Sequence, residues 1–204
     1  ETFRALGVDT IISGGQTMNP STEAILQEVN RTPSEIVFVL PNNKNIVMAA
    51  QQCIGLTEKQ VIVVPTATVP QGITAMVSFD PDEEDPQVIA DAMAEAASTV
   101  STAQVTYAAR NSDFDGFEIK EGDPLVMPDG KLFGTGPALK SLREQMGAHA
   151  AEKGAEFINI YTGEGVSESD GAKAEKLFAK ICPDAEVTSI PGGQSVYYYI
   201  ISIE

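Results

Sequence analysis

Three stretches near the start of the chain are rich in hydroxyl and amide side chains, and each follows an apolar run. They are Ser13–Ser21, Pro41–Asn45 and Pro65–Gly72. Hydroxyls and amides hold a carboxylate or a phosphate through neutral hydrogen bonds, but they offer little for moving protons. The three stretches contain no carboxylate and no histidine. They are therefore predicted to be binding loops and not a catalytic centre.

The candidate ligand- or partner-binding residues in these loops are small or can form hydrogen bonds. They are Ser13, Gly14, Gly15, Gln16, Thr17, Asn19, Ser21, Asn42, Asn43, Asn45, Gln71 and Gly72. Asn often bonds its own backbone and Gly tolerates a left-handed conformation, so each residue taken alone also suits a purely structural turn. Three such loops on one edge of a sheet favour binding.

Arg110 completes the candidate set. It precedes Asp113 and Asp115, so the sequence leaves open a local ion pair, an anchor for an anionic group, and a catalytic pair of Arg110 with one of these carboxylates. The single histidine, His149, lies in a predicted helix between two alanines and is interpreted as an ordinary surface or packing residue.

Neither a cofactor nor a metal is predicted for this chain. It has no GxxxxGK[ST] motif, and Gly134-Thr-Gly136 is followed by Leu139 where a dinucleotide fingerprint has its third glycine. Cys53 and Cys182 lack a CxxC spacing, which argues against a zinc site or a disulfide framework. Cys53 and Cys182 are therefore expected to be buried, structural thiols in a reducing cytoplasm.

The loops are positioned by a repeated strand-loop-helix pattern. Short strands buried on both faces are predicted at Thr10–Ile12, Glu35–Leu40 and Gln60–Val64. Helices are predicted to follow at Ser21–Asn30, Asn45–Ile54 and Gly72–Phe79, the first capped by Ser21. This repeat predicts a parallel sheet whose carboxyl edge gathers the three loops.

The second half of the chain has a less regular pattern. Asp80–Pro86 is interpreted as an acidic linker, because no His or Asn supplements its carboxylates as a metal site would require. An Ala-rich helix is predicted at Val88–Val100. Further strands are predicted at Val105–Ala109, Phe117–Ile119, Pro124–Met127, Lys131–Phe133, Phe157–Thr162, Glu186–Ile190 and Val196–Ile203, with a hairpin turn at Pro128–Gly130 and helices at Ala138–Glu152 and Glu168–Ile181. The predicted lobes are residues 1–86, with a parallel sheet and flanking helices, and residues 87–204, with a mixed sheet and helices.

The charge of the chain limits its partners. The 204 residues include 13 Lys and Arg and 29 Asp and Glu, which give a net charge of −16. Nucleic acid and anionic membrane surfaces are therefore poor electrostatic partners, and a basic patch on another protein would suit the charge better; the acidity also fits a role in solubility alone. No apolar run is long enough to span a membrane. The chain starts at Glu1 and is expected to be a fragment of a longer protein.

Several motifs resemble one known family, the C-terminal domain of the kinase subunit of bacterial fatty acid kinase, often labelled dihydroxyacetone-kinase-like. The matching stretches are Ser13–Thr22, Phe38–Asn45, Ala49–Gln52, Val64–Thr66, Pro70–Gly72, Gln104–Tyr107 with Arg110, Gly116 with Glu118–Lys120 and Gly122-Asp123, and Gly192–Gln194 running to Ile200–Ser202. Together they cover nearly the whole chain.

The resemblance implies a two-lobed α/β fold like that of the DegV-type fatty-acid-binding proteins. Thr17, Pro20 and Ser21 fall on a DegV Thr-Ser-x-Pro-Ser loop, Asn42–Asn45 on a serine-rich turn, and Gln71-Gly72 on a Ser/Gly turn. In DegV proteins these loops close around a lipid head group. Amides replace several of the DegV hydroxyls here. The histidine that related sugar-kinase and phosphotransferase domains use near this edge is absent from the first 148 residues.

Two functions follow from the resemblance. The first is a non-catalytic domain that docks a fatty-acid-binding partner, while ATP and magnesium bind in a further N-terminal domain. The second is direct binding of a fatty acid or a phosphorylated small ligand between the lobes. The resemblance also implies a kinase subunit that is inactive as this fragment alone, a cytoplasmic location, and a full-length protein compatible with a homodimer.

Overall fold

The chain divides into two units, Glu1–Val100 and Ser101–Glu204. The computed structural model describes residues 2–13, 19–114, 117–132, 134–135 and 139–204. Its helices are α1 (Thr2–Ala5), α2 (Thr22–Arg31), α3 (Lys44–Gln52), α4 (Val69–Val77), α5 (Pro86–Thr99), α6 (Leu139–Glu152) and α7 (Glu168–Ile181). Its strands are β1 (Ile36–Val39), β2 (Gln60–Val63), β3 (Ser101–Tyr107), β4 (Ser112–Phe114), β5 (Phe117–Ile119), β6 (Pro124–Pro128), β7 (Gly134–Thr135), β8 (Phe157–Thr162), β9 (Glu186–Pro191) and β10 (Tyr199–Ile203).

The first unit is built around the parallel pair β1 and β2, which run in register from Ile36 opposite Gln60 to Val39 opposite Val63. Successive side chains of a strand point to opposite faces of a sheet. One face packs with α2 and α3, and the other with α4 and α5. The first of these cores contains Ile25, Val29, Ala50, Cys53 and Val61, and the second contains Val64, Ala75, Ile89, Met93 and Ala97.

The predicted strand at Thr10–Ile12 does not form. These residues carry no strand, and Ile11 and Ile12 are 45% and 37% exposed. A run of three residues offers few ladder hydrogen bonds, and its β-branched side chains alone do not ensure burial. In the described residues of this unit, the parallel sheet therefore consists of β1 and β2.

The start of α4 and the boundary between the two units also differ from the prediction. Helix α4 begins at Val69 and not at Gly72, because Thr68 caps it and Pro70 favours the first helical turn. The two units meet in sequence after α5 and not before it, since Ile89, Met93 and Ala97 pack with Ala75 of α4. The acidic joint ends in a helix cap, in which Asp85 accepts a hydrogen bond from the Gln87 amide at 2.9 Å.

The second unit contains a six-stranded sheet in the order β7-β6-β3-β10-β8-β9, in which β8 and β9 are parallel and the other pairs are antiparallel. A small antiparallel hairpin of β4 and β5 lies between β3 and β6 in the sequence. Helices α6 and α7 cover one face, where Met146 and Phe178 pack against Val105, Ile158 and Ile160. This is the predicted mixed sheet with helices.

Two predicted strands of this unit start later than expected. Lys131 belongs to the turn after β6, where its amide donates to the Pro128 carbonyl at 3.0 Å, and β7 is Gly134–Thr135. Phe133 lies outside the described residues. β10 begins at Tyr199 and not at Val196, because Val196 has φ 73° and cannot continue a strand.

Candidate functional site

The first loop precedes α2, and its described residues include the N-terminal cap of that helix. The Ser21 hydroxyl accepts a hydrogen bond from the Ala24 amide at 3.2 Å, so Ser21 is the predicted helix cap. Ser13 and Asn19 are exposed. Gly14, Gly15, Gln16 and Thr17, all predicted binding residues, lie outside the described residues.

The second loop is tied to α3 and to the first loop. Asn43 caps α3, and its Oδ1 accepts a hydrogen bond from the Asn45 amide at 2.9 Å. The Nδ2 of the same side chain lies 3.5 Å from Oδ1 of Asn19. The structure thus brings Asn19, Asn43 and Asn45 together, although the described residues before the first loop form no strand of the parallel sheet.

Asn42 joins the second loop to the third. Its backbone is left-handed, with φ 55°, and its amide donates to Oγ1 of the fully buried Thr66 at 3.1 Å. Its Oδ1 is buried and accepts no hydrogen bond from any described residue. That oxygen lies 2.0 Å from the position of a Cβ built on Gly72. Glycine at residue 72 is therefore what allows the Asn42 side chain into this space.

Gln71 is occupied by hydrogen bonds within its own unit. Its Oε1 accepts from the Ala67 amide at 2.8 Å, and its Nε2 donates to the Val100 carbonyl at 3.2 Å. The Thr68 hydroxyl accepts from the Gln71 amide at 3.4 Å, and the Thr68 carbonyl from the Gly72 amide at 3.1 Å. The third loop thus satisfies its own polar groups.

These loops are poorly equipped for acid-base chemistry. The side chains that cap α2, α3 and α4 already accept hydrogen bonds from backbone amides that an anion would need at a helix N-terminus. Within the described ranges, no group of three or more His, Cys, Asp or Glu side chains is arranged to hold a metal ion. The arrangement can support a rigid surface, and it can present the single buried acceptor of Asn42.

Arg110 lies in the second unit, three residues after β3, and is exposed. It forms no ion pair with Asp113 or any other described residue; Asp115 lies outside them. Nearby, the rings of Tyr107 and Tyr198 are 6.0 Å apart at an angle of 59°.

The tyrosines before and in β10 are less accessible. Tyr198 is half-buried, while Tyr197 and Tyr199 are buried. Burial raises the pKa of the Tyr197 hydroxyl. Burial, together with the negative charge of Glu204, raises the pKa of Tyr161. His149 is half-buried on α6.

One polar cluster carries no sequence signal beyond its turn. The Asp129 carboxylate accepts hydrogen bonds from the Ser101 hydroxyl at 2.9 Å, the Thr102 amide at 3.0 Å and Lys153 Nζ at 3.1 Å. Burial alone would raise the pKa of Asp129, but these hydrogen bonds and the Lys153 charge outweigh it and lower the pKa. The cluster joins the start of β3, the turn after β6 and the residue after α6.

The match to known sequences decides the family. A family model for the FakA-like C-terminal domain of fatty acid kinase matches residues 1–204. The chain belongs to this family. The resemblance stated from the motifs is thereby confirmed.

Relatives with this FakA-like domain are considerably longer than the chain. Protein YloV of Bacillus subtilis is 37% identical over 202 residues, which are 99% of this chain and 36% of that protein. A Staphylococcus aureus protein is 33% identical over 208 residues, covering 100% of this chain and 37% of that protein. The chain thus spans little more than a third of the length of these curated relatives.

Solved structures identify the fold of this FakA-like domain as DegV-like. A DegV family protein from Corynebacterium glutamicum has a TM-score of 0.69 at 13% identity, covering 99% of this chain and 91% of that one. The fatty acid kinase B3 protein of Streptococcus pneumoniae, loaded with linoleic acid, has a TM-score of 0.66 at 13% identity, covering 91% and 76%. Dihydroxyacetone kinase from C. freundii has a TM-score of 0.59 at 14% identity, covering 90% and 42%. The predicted fold class is confirmed.

None of the described helices is long and apolar enough to cross a membrane.

Proposed function

We propose that this chain is a non-catalytic domain of a fatty acid kinase subunit that docks a DegV-type fatty-acid-binding protein. The partner presents its bound fatty acid to a separate ATP- and magnesium-binding domain of the same subunit. Most of the length of the curated relatives lies outside the part they share with this chain, and we place that domain there. The phosphoryl transfer therefore occurs outside this chain.

The observation that carries the proposal is that side chains of the described strand-end loops already cap the three helices and bond neighbouring backbone groups, with the buried Oδ1 of Asn42 as an exception. Ser21, Asn43 and Thr68 cap the three helices, and Gln71 bonds Ala67 and Val100. A site that holds an anionic head group needs helix N-terminal donors aimed at the ligand. Donors already used in caps favour a docking module over a lipid carrier.

Charge supports a protein partner of a particular kind. The net charge of −16 repels fatty acid carboxylates and anionic membranes at long range, but attracts a basic protein surface. Electrostatic complementarity raises association rates, and salt weakens it. We therefore expect the affinity for the partner to fall as ionic strength rises.

Isothermal titration calorimetry with the cognate fatty-acid-binding protein, loaded with linoleic acid, tests the proposal. We expect a complex with a dissociation constant of about 10 µM or tighter at low salt. Bovine serum albumin loaded with the same lipid is the control, because it is an acidic protein that binds fatty acid. No heat of binding from a well-folded chain, or equal binding to albumin, would reject docking.

One observation favours a second function, direct binding of a fatty acid or a phosphorylated small ligand at the loops. The buried Oδ1 of Asn42, which accepts no hydrogen bond from the described residues, is suited to accept one from a protonated acid group. Two structures with the same fold are loaded with linoleic acid and heptadecanoic acid. Native mass spectrometry of the chain incubated with linoleic acid distinguishes the two functions: docking alone predicts empty protein, and direct binding predicts a one-to-one adduct that Asn42→Ala removes.

A further inference from the structure

One end of the six-stranded sheet gathers several exposed groups. β3 ends at Tyr107, β8 ends at Thr162 and β9 ends at Pro191, while the antiparallel β10 begins at Tyr199. The β4-β5 hairpin and Arg110 follow β3, so they also start from this end. We define the tyrosine surface as the exposed residues Tyr107, Arg110, Glu164 and Ser195 at this end, together with the half-buried Tyr198.

The two tyrosines give this surface an aromatic centre. Tyr107 is 43% exposed, and its ring packs against that of the half-buried Tyr198 at 6.0 Å. Tyrosine and arginine are enriched in protein interfaces, because their large, partly apolar side chains combine contact area with hydrogen bonding. Arg110, which forms no ion pair with a described residue, adds a charged donor near this pair.

A strained turn shapes the same surface. Val196 has φ 73°, a conformation that a β-branched residue rarely adopts. The Tyr197 amide donates to the Ser195 carbonyl at 2.9 Å, which closes a γ-turn around Val196. The buried Thr106 hydroxyl holds the Val196 carbonyl at 2.7 Å. Strain of this kind persists where the surroundings enforce it, and it clusters at functional sites.

The surroundings of the turn are built to enforce that strain. A Cβ on Gly163 would lie 1.8 Å from the Tyr197 carbonyl oxygen, so only glycine allows the turn to pack so closely on the end of β8. The Gln194 side chain donates to the Tyr161 carbonyl at 2.8 Å, and the Gln194 carbonyl accepts from the Glu164 amide at 2.8 Å. The segment before β10 is thus held rigid on the tyrosine surface.

Charge indicates which partner fits. Among the described residues, the exposed ionisable side chains at this end include Arg110, Lys120, Asp113, Glu118, Glu121 and Glu164. Carboxylates outnumber cations in this described set, so the aromatic centre has a mainly acidic rim there. Such a surface complements a protein patch with an apolar or planar centre and basic side chains around it.

We propose that the tyrosine surface is the face that docks a basic patch of the fatty-acid-binding partner. This inference rests on the proposed docking function and assigns it to the second unit. The γ-turn at Val196 preorganises the surface, so binding does not have to order this segment.

Calorimetry with the full chain and the linoleic-acid-loaded partner tests the assignment through two substitutions and a control. Tyr107→Ala is expected to weaken binding at least about tenfold, as truncation of an interface anchor does. Phe157→Ala, which removes a 50% exposed aromatic at the opposite end of the sheet, is the matched control and should bind as the unsubstituted chain does. Val196→Gly relieves the positive φ, so it should keep or raise the melting temperature while weakening binding.

The outcomes separate this inference from the docking function itself. If the unsubstituted chain binds and Tyr107→Ala, folded by circular dichroism, binds equally well, the tyrosine surface is not the docking face although docking stands. Unchanged affinity of Val196→Gly would overturn the role of the strained turn. If the unsubstituted chain does not bind the partner at all, both proposals fail.

Discussion

The Asn42 side chain occupies the space that a side chain at residue 72 would need, since its Oδ1 lies 2.0 Å from the position of a Cβ built on Gly72. The two residues are 30 positions apart: Asn42 lies in the loop after β1, and Gly72 lies near the start of α4, which follows β2. The Asn42 amide is also bonded to Thr66 of the third loop. The second and third loops therefore form one packed unit at the carboxyl end of β1 and β2.

Replacing Gly72 by alanine should destabilise the first unit. The new Cβ must displace the Asn42 carboxamide, and we expect a loss of about 1–3 kcal/mol in the free energy of unfolding. Asn42→Gly removes the obstacle and accepts the left-handed backbone, so the double variant should lose less than the sum of the single losses. Urea unfolding of all four proteins measures this coupling, and strictly additive losses would show that the two residues do not compete for space.

The sequence predicts this fold wherever local signals and tertiary packing agree. The Ser21 cap, the strand Phe157–Thr162 and the helix Glu168–Ile181 are found where their patterns place them. Thr10–Ile12 is a β-branched run without a strand, because pairing depends on neighbours that a sequence pattern does not specify. The pattern places Val196 in a strand, yet the hydrogen bond from Thr106 to its carbonyl and the close packing of Gly163 on the Tyr197 carbonyl hold it in a turn.

The candidate site was less predictable than the fold. The parallel repeat predicts a grouping of the polar loops, and Asn19, Asn43 and Asn45 do lie together, although no strand forms in the described residues before the first loop. The contact of Asn42 with Gly72 joins two distant residues, so no spacing in the sequence indicates it. Tyr107 lies in the middle of the predicted strand Val105–Ala109, whereas β3 ends at this residue, so its exposure could not be predicted from the pattern.

Two of the helix caps, Ser21 and Asn43, are predicted binding residues but should contribute to stability and not to partner affinity. Ser21→Ala and Asn43→Ala each remove a side chain that satisfies a helix N-terminal amide, and each should lower the free energy of unfolding by about 1 kcal/mol. Gln51→Ala, at an exposed position of α3, is the control and should change it by less than about 0.5 kcal/mol. Thermal unfolding and calorimetry on the same samples check both statements; a selective loss of affinity in the cap variants would assign them to an interface.

Asp129 should make stability depend on pH in the acidic range. Its pKa in the folded chain lies below the ordinary value of about 3.9, so the ionised form stabilises the fold above that pH. This contribution is lost as the pH falls through the lowered pKa. Asp129→Asn keeps a residue that tolerates the positive φ of this turn and removes the charge.

We expect Asp129→Asn to cost about 1 kcal/mol at pH 7, a modest value because the side chain is half-exposed and screened by water. The difference from the unsubstituted chain should shrink below about pH 4, where the carboxyl becomes protonated. Urea unfolding across this pH range gives the comparison, with the exposed Asp184→Asn as the control. A difference that stays constant with pH would mean that the charge of Asp129 is not the stabilising feature.

Both cysteines should be unreactive in the folded chain. Cys53 and Cys182 are buried and unpaired, and burial raises the pKa of each thiol, so little thiolate forms at neutral pH. Iodoacetamide at pH 7.5 should leave the native mass unchanged and add two labels after unfolding in guanidinium. Rapid labelling of either thiol in the native chain would show that its surroundings open readily.

A native mass spectrum of an equimolar mixture of the chain and its linoleic-acid-loaded partner tests the central claim most directly. Docking without lipid uptake predicts one complex whose mass equals the two proteins plus one linoleic acid, and which dissociates in the gas phase to lipid-free chain and loaded partner. A spectrum that shows only the separate proteins, or linoleic acid transferred to this chain, would contradict the account.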